Sequence, residues 1–364
     1  MSITTDDAVP ERRSAPGPDG SGGATLADVA RLAGVSRATA SRVLAGRAAG
    51  KSASHARVLA AAEELGYVVN GLARSMMGVG RRSIAFISSI MVGPTFASMA
   101  AGAEDVATAN AHLFTMCTTG GDPEREAALI DALTEQRVAA VLLVGSTPAT
   151  EEFEERAENY ARALARVGAR LILCGRAALP ALPQIASIDY DHRGGVHSGV
   201  AHLVGLGHRR IAFIGSLDAT TTSHQRFLGY QDGLADAGIG FDPELAISSG
   251  NTSDEAAAAT TALLAQHPDV TAISCQTDIM AVGVCRALHA AGVSIPEQMS
   301  VVGFDDMQLV ADLTPSLTTV RAPFHDVGEL AGRIAVGEDY EGPVVLPSEL
   351  IVRGSTGPAP VLPG

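Results

Sequence analysis

Between Ala24 and Leu44 the apolar residues of this chain recur at helical spacing twice, with a break between the two runs. Leu26, Val29 and Ala30 share one helical face, with Leu32 and Ala33 beside them. Thr25 stands at an N-cap position, and Asp28 three residues on completes a weak capping box and places charge in the first turn. Gly34 permits the turn, because without a Cβ the left-handed backbone carries no penalty. Ser36 caps a second helix whose Ala40, Val43 and Leu44 face the first, leaving Arg37, Ala38, Ser41 and Arg42 outward. A third helix is predicted over roughly 52–65, with Gly66 in a C-terminal capping position. A short helix pair with a polar, arginine-bearing second member has the geometry of a helix-turn-helix, whose second helix can lie in a DNA major groove. The same spacing also describes a surface hairpin with solvated arginines.

From Arg81 onward the pattern changes to alternating strands and helices. Apolar strand-like runs fall at 83–87, 112–117, 139–144, 170–174, 185–188, 210–214, 270–275 and 300–304, and helical segments at 123–137, 151–167, 223–237, 253–266 and 279–291. Continuous apolar strands alternating with helices predict parallel sheets covered by helices. With that many strands and a break between Leu179 and Pro183, two similar α/β lobes are expected, with a ligand cleft beyond the carboxyl ends of the strands. The fold class is therefore multidomain: an all-α helix-turn-helix headpiece and an α/β two-lobed core built on parallel sheets. Between them, the stretch from Asn70 to Met77 is too short to hold a helix alone in water, and Gly71 weakens it further. It reads as a linker, or as a segment that folds when DNA and a partner copy supply contacts.

Charge separates these parts. Residues 24–78 carry seven Lys or Arg against three acids, a local net of +4 in a chain whose total is −14; residues 1–23 carry −2 and the remainder −16. A basic module on an acidic body is expected if only the module touches phosphates, whereas a structural hairpin has no reason to concentrate positive charge. The first 23 residues, rich in Pro, Gly, Ser and Asp without an apolar run, read as a disordered tail rather than a signal peptide. No run is long enough to span a bilayer. Cys117, Cys174, Cys275 and Cys285 form no metal-ligand motif and read as free thiols of a cytosolic protein.

Catalytic signatures are missing. No GxGxxG stands between a strand and a helix, and there is no GxxxxGK[ST], HExxH or GxSxG. His192, His197 and His202 recur every five residues, which sets successive rings about 140° apart on a helix, so they cannot converge on one metal and read as solvated or locally bonded. A binding core fits better than an enzyme, and neither metal nor cofactor is expected.

At this point the residues resemble the LacI/GalR transcriptional repressors from about Ala24 to Thr356. The resemblance is carried by AGVSRATASRVL, ELGYVVNGLARSM, HLVGLGHRRIAFIG, TDIMAVG, SIPEQMSVVGFDD, PSLTTV and LPSELIVRGST in that order. It implies a periplasmic-binding-protein-like core and the following roles. Arg37 and Ala38 open the recognition helix: Arg37 suits a bidentate contact to guanine, worth ~1–3 kcal/mol of discrimination, and Ala38 a thymine methyl. Arg42 matches a base- or phosphate-contacting arginine. Thr25, Ser36, Thr39 and Ser41 are candidates for phosphate or base contacts, with helix capping as the plain alternative. Asn70, Ala73 and Met76 fall in the family's hinge helix, where Met76 takes the place of a leucine wedged into the minor groove. Ala45, Val69 and AAGKS depart from the usual residues around the headpiece.

In the core, the resemblance places Phe96, Gly175, Arg226, Thr277 and Asp305 around an effector. An arginine that only donates and an acid that only accepts suit a polyhydroxylated ligand; the plain alternative is an interlobe ion pair and a core Phe. Gly175 stands where an acid is common and Thr277 where asparagine is usual, so sugar is a class assignment only. Asp191 is read as a helix N-cap rather than a ligand.

The resulting expectation is a cytoplasmic, nucleoid-associated, homodimeric repressor that reads a pseudopalindromic operator and takes a small effector of the carbohydrate class. Its divisions are a tail at 1–23, a headpiece at 24–69, a hinge at 70–80, the core at 81–356 and a tail at 357–364. That last tail has no heptads, so no coiled-coil tetramer is expected. A solute-binding receptor and a sugar-processing enzyme are the alternatives.

Overall fold

The computed structural model describes residues 24–44, 52–67, 82–89, 94–145, 150–217 and 220–361. They belong to two compact units, 1–81 and 82–364, each taken by itself below.

The first unit contains α1 (Leu26–Leu32), α2 (Arg37–Leu44) and α3 (Ala53–Glu64). Val29, Ala30, Ala33, Ala40, Val43, Val58 and Ala61 close its core. Three valines at roughly 1.5–3 kcal/mol each are its largest apolar contributions, so the helix caps carry a larger share of the stability than they would in a bigger domain. Gly34 turns the chain with φ +62, and Ser52 caps α3 by accepting from His55 N.

The second unit holds two six-stranded sheets. Its strands are β1 (Ser83–Ser88), β2 (Leu113–Thr118), β3 (Ala140–Val144), β4 (Arg170–Cys174), β5 (Ala186–Tyr190), β6 (Ile211–Gly215), β7 (Ala246–Ser248), β8 (Ala272–Cys275), β9 (Ser300–Asp305), β10 (Thr318–Arg321), β11 (Val344–Leu346) and β12 (Glu349–Ile351). Its helices are α4 (Pro94–Ala109), α5 (Pro123–Glu135), α6 (Glu151–Arg166), α7 (His192–Gly205), α8 (Thr221–Asp236), α9 (Ser253–Gln266), α10 (Asp278–Ala290), α11 (Gln308–Ala311) and α12 (Phe324–Ala335). The sheet orders are β11-β5-β4-β3-β1-β2 and β12-β10-β9-β8-β6-β7. Pairing is parallel except where β12 runs antiparallel to β10. Central strands such as β3 and β6 are buried along their whole length, as sheets covered on both faces require.

The lobes are not consecutive halves of the sequence, which corrects the expected break at 179–183. Leu182 and Ile185 are buried in the first lobe's core, and β5 then pairs with β4 in the first sheet. The chain passes to the second lobe only after Tyr190, where Asp191 caps α7 by accepting from Gly194 N at 2.7 Å. It returns between Arg321 and Phe324, for α12 packs on α4, and it leaves again between β11 and β12. The α4–α12 contact is backbone to backbone: a Cβ at Gly102 would overlap His325 O, and one at Gly328 would overlap Met99 O. Gly357 and Ala359 tie the segment that follows β12 to the second lobe, Gly357 N donating to Ser300 Oγ at 3.0 Å and Ala359 N to Leu206 O at 2.9 Å.

Candidate functional site: the headpiece helix and the interlobe cleft

In the headpiece two candidate hydroxyls, those of Thr25 and Ser36, serve as caps. Thr25 Oγ1 accepts from Asp28 N at 3.3 Å while Asp28 Oδ2 accepts from Thr25 N at 3.0 Å. The Thr25 hydroxyl, which also donates to Asp28 Oδ2, and then the Thr25 N–H hold the Asp28 carboxyl below its usual range. Ser36 Oγ accepts from Thr39 N at 3.1 Å and lies 2.9 Å from Thr39 Oγ1. The Thr25 hydroxyl proton is already given to Asp28 Oδ2 at 2.6 Å, so Thr25 meets a phosphate only by exchanging that bond, whereas the Ser36–Thr39 pair keeps one hydroxyl proton to donate. Arg37, Ala38 and Arg42 are exposed and Ser41 is half-buried. Arg42 Nε donates back to Ala38 O at 3.3 Å. Arg57 instead braces α3 against the turn, its Nε donating to Ala33 O at 3.1 Å. Asn70, Ala73 and Met76 lie outside the described residues.

In the core, Phe96, Gly175, Arg226, Thr277 and Asp305 line one cavity of about 290 Å³. The cavity sits where β1, β3, β4, β5, β6, β8 and β9 end, and Ser89, Gly145, Tyr190, Ser216 and Gln276 from those ends complete its wall. Its floor is Arg226 of α8, 3% exposed. The guanidinium lies 3.7 Å from the Phe304 ring centroid. Nη1 donates to Gln276 O at 2.6 Å, Nη2 to Tyr190 Oη at 3.2 Å and to Asp305 Oδ1 at 3.2 Å, and Nε to His192 Nδ1 at 3.3 Å. Four of its five N–H groups are thereby engaged, leaving one on Nη1.

Asp305 occupies the end of β9 at φ +121, followed by Asp306 at φ +54. Non-glycine residues hold such backbone only where surrounding contacts over-determine it. Asp306 supplies them, accepting from Arg321 Nε at 2.7 Å and Arg353 Nη2 at 2.6 Å. Both arginines lie beside interlobe crossovers. Burial raises the Asp305 carboxyl above its usual range against the pull of Arg226. Fully buried Asp278 is raised too, first by burial and then by the Asp305 charge; it accepts from Met307 N at 2.8 Å and Thr319 Oγ1 at 2.6 Å.

Two candidates have structural constraints that spacing did not reveal. Thr277 caps α10 by accepting from Met280 N at 3.3 Å, so its free resource toward the cavity is the hydroxyl proton. Gly175 has φ +63, and a Cβ there would meet Met99 Cε at 3.4 Å and Tyr190 Cε1 at 3.5 Å. An acid at this position would be strained by the left-handed backbone, although its Cβ would meet its neighbours at ordinary contact distance.

The reading of the three histidines as solvated or locally bonded holds for each, His192 Nε2 lying 3.1 Å from Asp189 Oδ1. His197 lies 2.9 Å from Asp236 Oδ2, and His202 Nε2 lies 2.9 Å from Thr356 Oγ1. His192, by contrast, is 4% exposed and belongs to the cleft. Asp189, Tyr190, Gln276, Asp278 and Phe304 were also missed, although the rule that ligands sit at strand carboxyl ends applies to IDYDH and SCQTD as it does to GFDD. The four cysteines are free thiols, and burial raises Cys174 to about 12.

A basic three-helix headpiece and a two-lobed core with a polar cavity at its strand ends define a DNA-binding regulator that carries a small-molecule site. Residues 25–70 match bacterial regulatory proteins of the lacI family and residues 200–356 a periplasmic binding protein-like domain. The regulator CelR of Thermobifida fusca is 32% identical over 91% of this chain and 98% of its own length. The regulator AscG of Escherichia coli is 30% identical over 91% and 98%. Among solved structures, the lac repressor dimer bound to operator and an anti-inducer superposes with a TM-score of 0.77 at 25% identity, over 92% of this chain and 99% of that one. A CelR–cellobiose complex gives 0.67 at 29%, over 91% and 99%. The chain belongs to the LacI family of transcription regulators, and it is not an enzyme. Among the described residues no helix is long and apolar enough to cross a membrane.

Proposed function

We propose that this regulator is a homodimeric repressor whose operator affinity is set by a neutral, polyhydroxylated effector, a sugar, held in the interlobe cavity. The observation that carries the ligand class is the Arg226–Asp305 pair. The two charges neutralise each other in contact at 3.2 Å on the cavity wall, one arginine N–H remains for a ligand, and Ser89, Thr95, Ser216, Thr222 and Asn251 add neutral polar groups to the wall. An anionic ligand would bring a second negative charge beside Asp305 with little donor capacity to meet it. Relatives bound to cellobiose and to ribose are consistent with this class.

On the DNA side, exposed Arg37, Ala38 and Arg42 on α2 read base edges, while Thr25, Ser36, Thr39 and Ser41 position the headpiece on phosphates. Support for a dimer comes from β2, an edge strand on which Leu113 and Met116 are 66% and 40% exposed. A pair of headpieces would then read two half-sites.

The test pairs a thermal-shift screen of neutral, acidic and phosphorylated sugars with operator anisotropy and sedimentation. A ligand that binds the folded state raises its apparent stability. The expected result is a neutral sugar that raises the melting temperature and changes operator affinity of a two-chain particle. A response confined to anionic sugars would overturn the ligand class, and failure to retain any operator DNA at low salt would overturn the repressor.

A further inference from the structure

The cleft contains a buried histidine that the ligand reading does not use. Both of its ring nitrogens are engaged, on opposite sides. Nε2 lies 3.1 Å from Asp189 Oδ1, and Nδ1 receives Arg226 Nε–H at 3.3 Å. A nitrogen that accepts from a guanidinium must carry its lone pair, so Nδ1 is unprotonated and Nε2–H donates to Asp189. Asp189 Oδ1 is itself held by Tyr190 N at 2.9 Å. The ring packs on Tyr190, 4.0 Å away between centroids, with Phe304 beside both at 6.4 Å.

The chain path gives this arrangement its meaning. Asp189 and Tyr190 end β5 in the first lobe's sheet, whereas His192 begins α7, and Arg226 and Asp305 belong to the second lobe. The Asp189–His192 and Tyr190–Arg226 bonds therefore span the first interlobe crossover, and both converge on the guanidinium that faces Asp305. An arginine has many rotamers; one bond to Nε fixes the roll of its planar fork, and with it the direction of the single N–H left for a ligand.

We propose that His192, anchored on Asp189, is the positioning residue for Arg226, and that this relay transmits the relative setting of the two lobes to the ligand site. The proposal rests on the cavity being the effector site. It assigns His192 no contact with ligand. Rotation of one lobe against the other moves Asp189 relative to Arg226, so effector affinity differs between the two lobe settings, as any allosteric coupling requires.

The test compares His192→Phe with His192→Gln in the full chain. Phe keeps a ring against Tyr190 and Phe304 and removes both polar functions. Gln keeps an acceptor and a donor on one carbon, about as far apart as the two ring nitrogens. The probe is the neutral sugar that stabilises wild type most in a panel containing ribose and cellobiose. His192→Phe is expected to weaken that sugar about tenfold or more, the scale of a lost hydrogen bond to a charged group. His192→Gln is expected to restore binding to within about threefold on the same scale. Equal weakening in both variants, or none in His192→Phe, overturns the relay. A readout free of ligand separates this from failure of the site itself. In ¹⁵N spectra of the sugar-free protein, His192 should show the Nε2–H tautomer, and the Arg226 Nε–H should exchange slowly in wild type and His192→Gln but not in His192→Phe. If no sugar in the panel binds wild type, the site reading fails while those spectra still decide the relay; an Nδ1–H tautomer overturns it.

Discussion

Arg226→Met removes a guanidinium while leaving a side chain of similar reach. The variant loses the 3.2 Å pair with Asp305, the 2.6 Å bond to Gln276 O and the contacts with Tyr190 and His192. Breaking a buried pair from one side costs about 3–5 kcal/mol, since the remaining charge stays buried and uncompensated. For a unit of this size that is a melting shift on the order of 10 °C. The loss depends on pH, and its sign follows from Asp305. Burial already raises that carboxyl and Arg226 opposes the rise, so without the arginine its folded value climbs further. Below the unfolded carboxylate range Asp305 is protonated in both states and the penalty is small; as pH rises from there toward the higher folded value the unfolded chain ionises while the native state must keep the proton, so the deficit grows, levelling off once the native carboxyl ionises too. The double variant Arg226→Met, Asp305→Asn removes both charges and should recover most of the loss, with little dependence on pH. Calorimetric melts from pH 5 to pH 8 measure all three. A single-variant deficit below about 2 °C at pH 8, or a double variant no more stable than the single one, would refute the claim that this pair is a coupled unit.

Asp278→Asn should flatten part of the decline in wild-type stability as pH rises, because burial and Asp305 raise the Asp278 carboxyl and its stabilising, protonated form is lost on ionisation. Asn keeps an acceptor for Met307 N and a donor for Thr319, so the same melts give the answer, and an unchanged slope would count against a buried, raised Asp278. Gly328→Ala drives a methyl into Met99 O of α4 and should cost about 1–3 kcal/mol or more in urea unfolding; a neutral result would mean that the two helices separate freely. Arg37→Ala and Arg42→Ala should each weaken the selected operator by about 1–3 kcal/mol if they read bases, measured by anisotropy against a scrambled duplex; equal losses on both duplexes would reassign them to phosphates.

The headpiece was legible because its information is local. Thr25, Ser36 and Gly34 act on neighbours within four residues, and the period of Val29, Ala30, Ala40 and Val43 reports the face that becomes the core. Most strands of the α/β core were legible for the same reason, since a strand buried on both faces reads as an unbroken apolar run. The short strands β7, β10, β11 and β12 were not. They lie at or near the sheet edges, where half-exposed residues such as Val345 weaken the signal. Helix α4 was overlooked because small residues dilute its pattern at the crossing with α12, whereas α12, with Phe324, Val327, Ala331 and Ile334 on one face, carried a legible period that was passed over. The alanines and glycines that permit backbone contact carry little hydrophobic signature.

For the cleft the division is different in kind. Arg226 and Asp305 could be singled out from short motifs and a resemblance, but their neighbours could not. Asp189, Tyr190 and His192 precede Arg226 by more than thirty residues and Gln276 follows it by fifty; only the return of separate strands to one sheet edge brings them together. By itself the sequence determined which segments become helices and strands and where positive charge concentrates, because propensity, capping and periodicity act over a turn or two of chain. Tertiary structure alone decided where the lobes divide, which histidine is buried, why Gly175 must bend left-handed, and how many of Arg226's donors remain free. Each of those depends on what packs against a residue from a distant part of the chain, and burial in a low-dielectric cleft is what turns such neighbours into bonds that matter.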